Sequence, residues 1–124
     1  MVTKADAQHD ILVVEDDDDT RELVSAWLGE LGFRVRAEVE GQAGIDAACG
    51  EPLRAALVDI GLPGVDGYEV VRRVREKLGR KLHMIAITGF TGGADVAKCL
   101  ESGYDAYLAK PLNKDALKRV LNNR

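Results

Sequence analysis

Cysteine is scarce in this 124-residue chain: Cys49 and Cys99 stand alone, with no CxxC and no histidine pair beside either. That pattern excludes a zinc site, and both thiols are expected as reduced, half-buried packing residues. The two histidines, His9 in a polar leader and His83 at the start of an apolar run, are expected as structural side chains. The chain also lacks any Lys/Arg block, and its formal charge is -4. Nucleic acids and anionic membranes are therefore not expected as partners, since both are bound through concentrated positive charge. No apolar segment reaches the 18 or so residues of a membrane span, and the opening Met1–Asp6 has no signal-like apolar stretch. A cytoplasmic protein is expected. There is no internal linker, low-complexity tract or second domain. Residues 1–9 read as a disordered leader and 10–124 as one domain. With 46% hydrophobic and 31% charged residues, that domain is large enough to bury about two-thirds of its unfolded surface.

What is abundant is negative charge in one place. Glu15-Asp16-Asp17-Asp18-Asp19 follows directly on the apolar run Ile11–Val14. Two carboxylates about 5 Å apart repel by roughly 3 kcal/mol at an effective dielectric of about 20, so a convergent cluster needs a cation, a proton or water between its members. Asp17, Asp18 and Asp19 fit a helix start, where aspartate caps free N–H groups and complements the dipole. Glu15 and Asp16, nearest the strand end, fit a metal site.

Periodicity organises the rest. Ile11–Val14 reads as a buried strand, followed by a helix carrying Leu23, Val24, Trp27, Leu28 and Leu31. Phe33, Val35, Ala37 and Val39 alternate with charged residues, as in an edge strand with one wet face. An Ala-rich helix is predicted over about 42–49, then a strand at Ala55–Val58. A Gly/Pro loop through Gly67 follows, then a helix with Val70, Val71, Val74 and Leu78 on one face. Met84–Ile87 precedes a helix near 94–101, and Ala106–Ala109 precedes one over about 113–121. Five strand–helix units with non-alternating inner strands indicate a doubly wound α/β domain with a parallel sheet covered on both faces.

In such sheets ligands bind beyond the carboxyl ends of the strands. Glu15 and Asp16 follow the first strand, Asp59 the third, Thr88 the fourth and Lys110-Pro111 the fifth. Three carboxylates, a hydroxyl and an ammonium would thus meet in one crevice.

The segments Leu12-Val13-Val14-Glu15-Asp16-Asp17, Asp59-Ile60-Gly61-Leu62-Pro63-Gly64-Val65-Asp66-Gly67-Tyr68-Glu69, Ile87-Thr88-Gly89 and Tyr107-Leu108-Ala109-Lys110-Pro111 resemble, in order and spacing, the receiver domains of two-component response regulators. The match covers 11–121. The resemblance implies a five-stranded flavodoxin-like sheet of order 2-1-3-4-5, one of the two common orders of the doubly wound class. It implies that Asp59 is the phosphoacceptor, taking its phosphoryl group from a histidine kinase or histidine phosphotransfer protein. Mg2+ would be held by Asp16, Asp59, Glu15 through water and the Gly61 backbone carbonyl. Lys110 would pair with a phosphoryl oxygen, its bond to Pro111 being typically cis in the family. Thr88 and Tyr107 would form the switch that alters the face made by the fourth helix, fifth strand and fifth helix, toward a downstream protein target.

Glu15 replaces the commoner aspartate at the first acidic position. Gly61 and Phe90, at the positions that tune acyl-phosphate hydrolysis in the family, cannot orient a water, so slow autodephosphorylation is expected. Gly92-Gly93 should leave the first turn of the fourth helix weakly formed. The stretch Asp59–Arg75 reads most like receivers attached to hybrid histidine kinases, and a single-domain regulator fits as well.

The strongest alternative is a haloacid-dehalogenase-like Mg2+-dependent phosphatase, because Asp16-Asp17-Asp18-Asp19-Thr20 fits its Asp-x-Asp-x-Thr signature. Such enzymes lack a residue like Glu15 before the motif, need a late acidic pair not found here, and leave Asp59, Pro63, Asp66 and Gly67 unexplained. A flavodoxin-like cofactor binder fails because flavin phosphate would face five anions. A calcium loop lacks its glycine and its closing glutamate.

Overall fold

Ile11–Val14 form β1, and none of the four is more than 1% exposed. In the computed structural model, which describes residues 9–89 and 92–122, nine further elements follow. They are α1 (Asp18–Glu30), β2 (Val35–Glu38), α2 (Gly41–Gly50), β3 (Ala55–Asp59), α3 (Gly67–Leu78), β4 (His83–Thr88), α4 (Gly93–Glu101), β5 (Ala106–Ala109) and α5 (Lys114–Asn122). The strands pair in parallel in the order β2-β1-β3-β4-β5, the doubly wound arrangement expected. Residues 1–8, expected as a leader, lie outside the described residues. His9 is described, and its backbone N–H donates to Glu51 Oε1 at 3.1 Å.

Because successive strand residues point to opposite faces, the apolar runs feed two cores. Leu12, Val14, Ala56, Val58, Met84 and Ala86 pack with Ile45, Val70, Val71, Val74, Cys99 and Tyr104 beneath α2, α3 and α4. Ile11, Val13, Leu57, Ile85 and Ile87 pack with Val24, Leu28 and Leu117 beneath α1 and α5. Burying a leucine or valine side chain fully contributes about 1.5–3 kcal/mol, and Val24 and Leu28 are the buried anchors of α1, with Trp27 and Leu31 packed partly against the same core.

Three expectations shift. Leu23 is 44% exposed, because the stripe of α1 facing the sheet is centred on Val24 and Leu28 and Leu23 lies about 100° around from Val24. β2 is shorter than the apolar alternation suggests. It ends at Glu38, so Val39 lies beyond the ladder and is 46% exposed, and Ala37 is exposed as well. Cys99 is fully buried rather than half-buried, whereas Cys49 is half-buried; both are free thiols.

The glycines of α2 have a packing reason. A Cβ on Gly41 would lie 2.1 Å from the Val65 carbonyl oxygen, and one on Gly44 would lie 2.6 Å from Val14 Cγ2. The poor helix former is what lets α2 approach β1 and the β3–α3 loop. Gly41→Ala gains helix propensity of up to about 1 kcal/mol, yet it should lose about 2 kcal/mol net through the clash with backbone. Urea denaturation of the pair of proteins checks this; an alanine variant as stable as the parent would refute it.

Candidate functional site

The chain leaves β1 through Glu15, whose N–H still bonds the Glu38 carbonyl at 3.0 Å and whose side chain is fully buried. Asp16 beside it is exposed. Asp17 then caps α1, its Oδ2 accepting from the Thr20 N–H at 2.9 Å and the Thr20 hydroxyl at 2.7 Å. Those two bonds, the hydroxyl's foremost, hold the Asp17 carboxyl below its usual range. Asp18 and Asp19 occupy the first turn, exposed. The five acids thus divide as expected, with three at a helix start and two turned to the end of the sheet.

Asp59 closes β3 and is 7% exposed. The Gly61 N–H donates to its Oδ1 at 3.2 Å, which places the Gly61 backbone against the carboxylate. Glu15, Asp16 and Asp59 each offer an oxygen, and these lie within 4.8 Å of one another. Among the described residues no other such acidic group converges. Lys110 reaches in from beyond β5, its Nζ 3.4 Å from Glu15 Oε1 and 3.8 Å from Asp59 Oδ2. Its backbone N–H bonds the Thr88 carbonyl at 2.8 Å, and the Lys110–Pro111 peptide is cis. Thr88, the last residue of β4, is 2% exposed. Tyr107 sits in register with Ala86 one strand over and is 38% exposed. All the strand-end residues singled out from the sequence therefore gather at one end of the sheet, with Tyr107 on the adjoining edge strand. Phe90 lies outside the described residues. α4 does form its first turn, with the Asp95 and Val96 N–H groups bonded to the Gly92 carbonyl, but no side chain caps it.

Three carboxylates facing one ammonium leave the cluster negative. Burial, and after it the neighbouring Asp59, pushes the Glu15 carboxyl up to about 7. Glu15 Oε1 is buried and accepts no hydrogen bond among the described residues, the Lys110 ammonium at 3.4 Å being its ion-pair partner. A buried carboxylate oxygen without a hydrogen bond, beside two further carboxylates, one of them exposed, is a donor set suited to a hard divalent cation that keeps some of its water. Mg2+ fits these residues.

The sequence reading missed Arg21. Its Nη1 donates to the Glu15 carbonyl at 3.0 Å and its Nη2 to Asp18 Oδ1 at 2.5 Å, so one guanidinium ties the first turn of α1 back to the acidic loop. The available signal was an Asp–Arg pair at i, i+3 on a helix. The bond to the carbonyl leaves no trace in sequence.

Comparison with known proteins follows the same lines. Residues 11–122 match the family model for the response regulator receiver domain. The chain is 34% identical over 119 residues to the sensor histidine kinase RcsC of Salmonella typhi, a match covering 94% of this chain and 12% of that kinase. It is 40% identical over 122 residues to the transcriptional regulatory protein AruR of Pseudomonas aeruginosa, covering 90% of this chain and 48% of AruR. The chain thus spans only a small part of RcsC and about half of AruR. Among solved structures, the receiver domain of the sensor histidine kinase PA1611 from Pseudomonas aeruginosa superposes with a TM-score of 0.85 at 34% identity. That match covers 93% of this chain and 95% of the other, and the PA1611 domain has a magnesium ion coordinated in its active site cleft.

Proposed function

Because this chain belongs to the response regulator receiver domain family of two-component signalling, we propose that Asp59 accepts a phosphoryl group from a phosphohistidine on a histidine kinase or histidine phosphotransfer protein. The observation that carries this reading is the convergence of Asp59 with Lys110, Glu15 and Asp16 at the ends of β1, β3 and β5. An Asp59 carboxylate oxygen forms the new O–P bond as the P–N bond breaks and leaves its electron pair on the imidazole nitrogen. Phosphoryl transfer of this kind asks for positioning and positive charge more than for acid–base groups. Bound Mg2+ supplies such charge, with Asp16, Asp59, Glu15 through water and the Gly61 carbonyl as the residues to hold it.

Lys110 is a compact point charge, 34% exposed at its side chain between two acids, and it turns to a phosphoryl oxygen as the phosphoryl group arrives. The Thr88 hydroxyl bonds another, and the Tyr107 ring moves into the room it leaves. Output then passes through α4, β5 and α5 to a downstream protein as a shift between two packed states. The domain in this reading runs over 10–124, acts in the cytoplasm, catalyses nothing beyond its own aspartyl phosphorylation and dephosphorylation, and has neither nucleic acid nor membrane as a partner. No helix among the described residues is long and apolar enough to cross a membrane. The phosphatase alternative built on Asp16 finds no support: the receiver family model spans the acidic loop and Asp59 together, and RcsC, AruR and PA1611 are sensor kinases and a transcriptional regulator.

The test is intact mass after incubation with acetyl phosphate, with and without Mg2+, on the parent and on Asp59→Asn. One Mg2+-dependent phosphoryl group on the parent and none on the variant is expected. A group that persists in Asp59→Asn and disappears in Asp16→Asn would overturn the assignment of the acceptor.

A further inference from the structure

Tyr104 stands in the turn between α4 and β5, and none of the roles assigned above uses it. Its ring is 2% exposed and packs in the core beneath α2, α3 and α4. Its hydroxyl crosses to α3 and donates to the Gly67 carbonyl at 2.6 Å. Gly67 begins α3 at the far end of the loop that starts at Asp59. That glycine lies directly on the phosphoacceptor strand. Its N–H bonds the Ile60 carbonyl at 3.1 Å, and a Cβ there would come within 2.7 Å of the Asp59 carbonyl oxygen and 2.6 Å of Ile60 Cα. The turn that holds Tyr104 is itself fixed, since Arg75 donates to the Gly103 carbonyl from Nε at 2.9 Å and from Nη2 at 2.7 Å.

We propose that Tyr104 is a positioning residue for phosphoryl uptake: through the Gly67 carbonyl its hydroxyl holds the Asp59–Gly67 loop closed against β3, and so fixes the Asp59 carboxylate and the Gly61 backbone. The proposal rests on Asp59 being the acceptor. It also makes the turn before β5 a mechanical partner of the acceptor loop, three residues before Tyr107 and six before Lys110, which stands beyond the other end of β5.

Tyr104→Phe removes one oxygen and keeps the ring. Uptake from acetyl phosphate at saturating Mg2+ should slow by about fivefold to tenfold, because small misplacements of a reacting group are costly in rate. Mg2+ affinity by calorimetry should fall by about twofold to threefold through Gly61. Val74→Ala in the same core serves as the control, being a loss of packing that leaves the hydroxyl in place. Slowing in Tyr104→Phe but not in Val74→Ala is the expected result. Parent-like uptake and Mg2+ affinity in Tyr104→Phe, or equal slowing in both variants, would make Tyr104 a packing residue only. If the parent takes up no phosphoryl group, the acceptor reading fails, and Mg2+ affinity alone then decides for or against Tyr104.

Discussion

Asp16→Asn is expected to weaken Mg2+ binding at least tenfold and, in metal-free buffer, to make the fold more stable by about 1 kcal/mol. Both effects come from one charge. Glu15, Asp16 and Asp59 present oxygens within 4.8 Å of one another, and the ammonium of Lys110 is the only cation paired with them among the described residues. Removing a carboxylate relieves repulsion that the single ammonium offsets only in part, while a divalent ion loses a charged ligand. Asn keeps the shape of the side chain, so packing is unchanged. Calorimetric Mg2+ titration and urea denaturation in chelator read the two quantities separately. A variant that loses stability and keeps its Mg2+ affinity would mean that Asp16 serves the helix start and not the ion.

Arg75→Met should cost about 3 kcal/mol of stability, more than a surface arginine has any reason to cost. The guanidinium is one of the most heavily used groups in the chain. Besides its two bonds to the Gly103 carbonyl it donates from Nη1 to the Gly79 carbonyl at 3.0 Å and the Leu82 carbonyl at 2.7 Å, and from Nη2 to Asp105 Oδ2 at 2.8 Å. It therefore closes α3 and ties the turns before β4 and β5 together. Methionine keeps most of the stem packing and removes the fork, taking a donor from the part-buried Leu82 carbonyl and leaving the Gly103 carbonyl only the exposed bond from Arg80 at 3.2 Å. Asp105 loses the shortest of its ion pairs at the same time, keeping Arg80 at 3.9 Å and, when protonated, His83 at 3.5 Å. Burial alone would raise the Asp105 carboxyl, but the Met84 N–H at 2.9 Å and the Arg75 guanidinium outweigh it, and the net shift is downward from the ordinary aspartate value. A carboxyl held low in the folded state stabilises above its unfolded value and loses that contribution as pH falls through the folded one. The parent should thus shed this part of its stability only below about pH 4, and Arg75→Met should show a shallower acid loss over the same range. Equal acid slopes in the two proteins would mean that Arg75 does not hold the Asp105 carboxyl down.

The strand–helix alternation was legible because inner strands of a parallel sheet are apolar on both faces and helices are not. The strand-end acids, Thr88 and Lys110 were legible for a related reason: in this architecture position along a strand predicts position in the site. The order of the strands came from the resemblance, since five βα units permit several. Leu23 and Val39 misled, because apolar spacing tells where a stripe lies but not how far the neighbouring layer extends to cover it. Tyr104 and Tyr107 show the same limit. Two tyrosines three residues apart carry equal weight in sequence, yet one is 2% and the other 38% exposed. The main-chain bonds of Arg21 and Arg75 were invisible for a different cause. Their partners include main-chain carbonyls, one of them 28 residues distant, and a carbonyl has no letter in the sequence.

Among the described residues the two cores on either side of the sheet share no side chain. Substitutions made one on each side, such as Leu28→Val and Val74→Ala, should therefore combine close to additively, as sites without shared partners do. For an evolving lineage that is a form of insulation. The layer under α1 and α5 can drift toward new neighbours without renegotiating the layer under α2, α3 and α4, and the two surfaces of one small domain are free to keep separate histories.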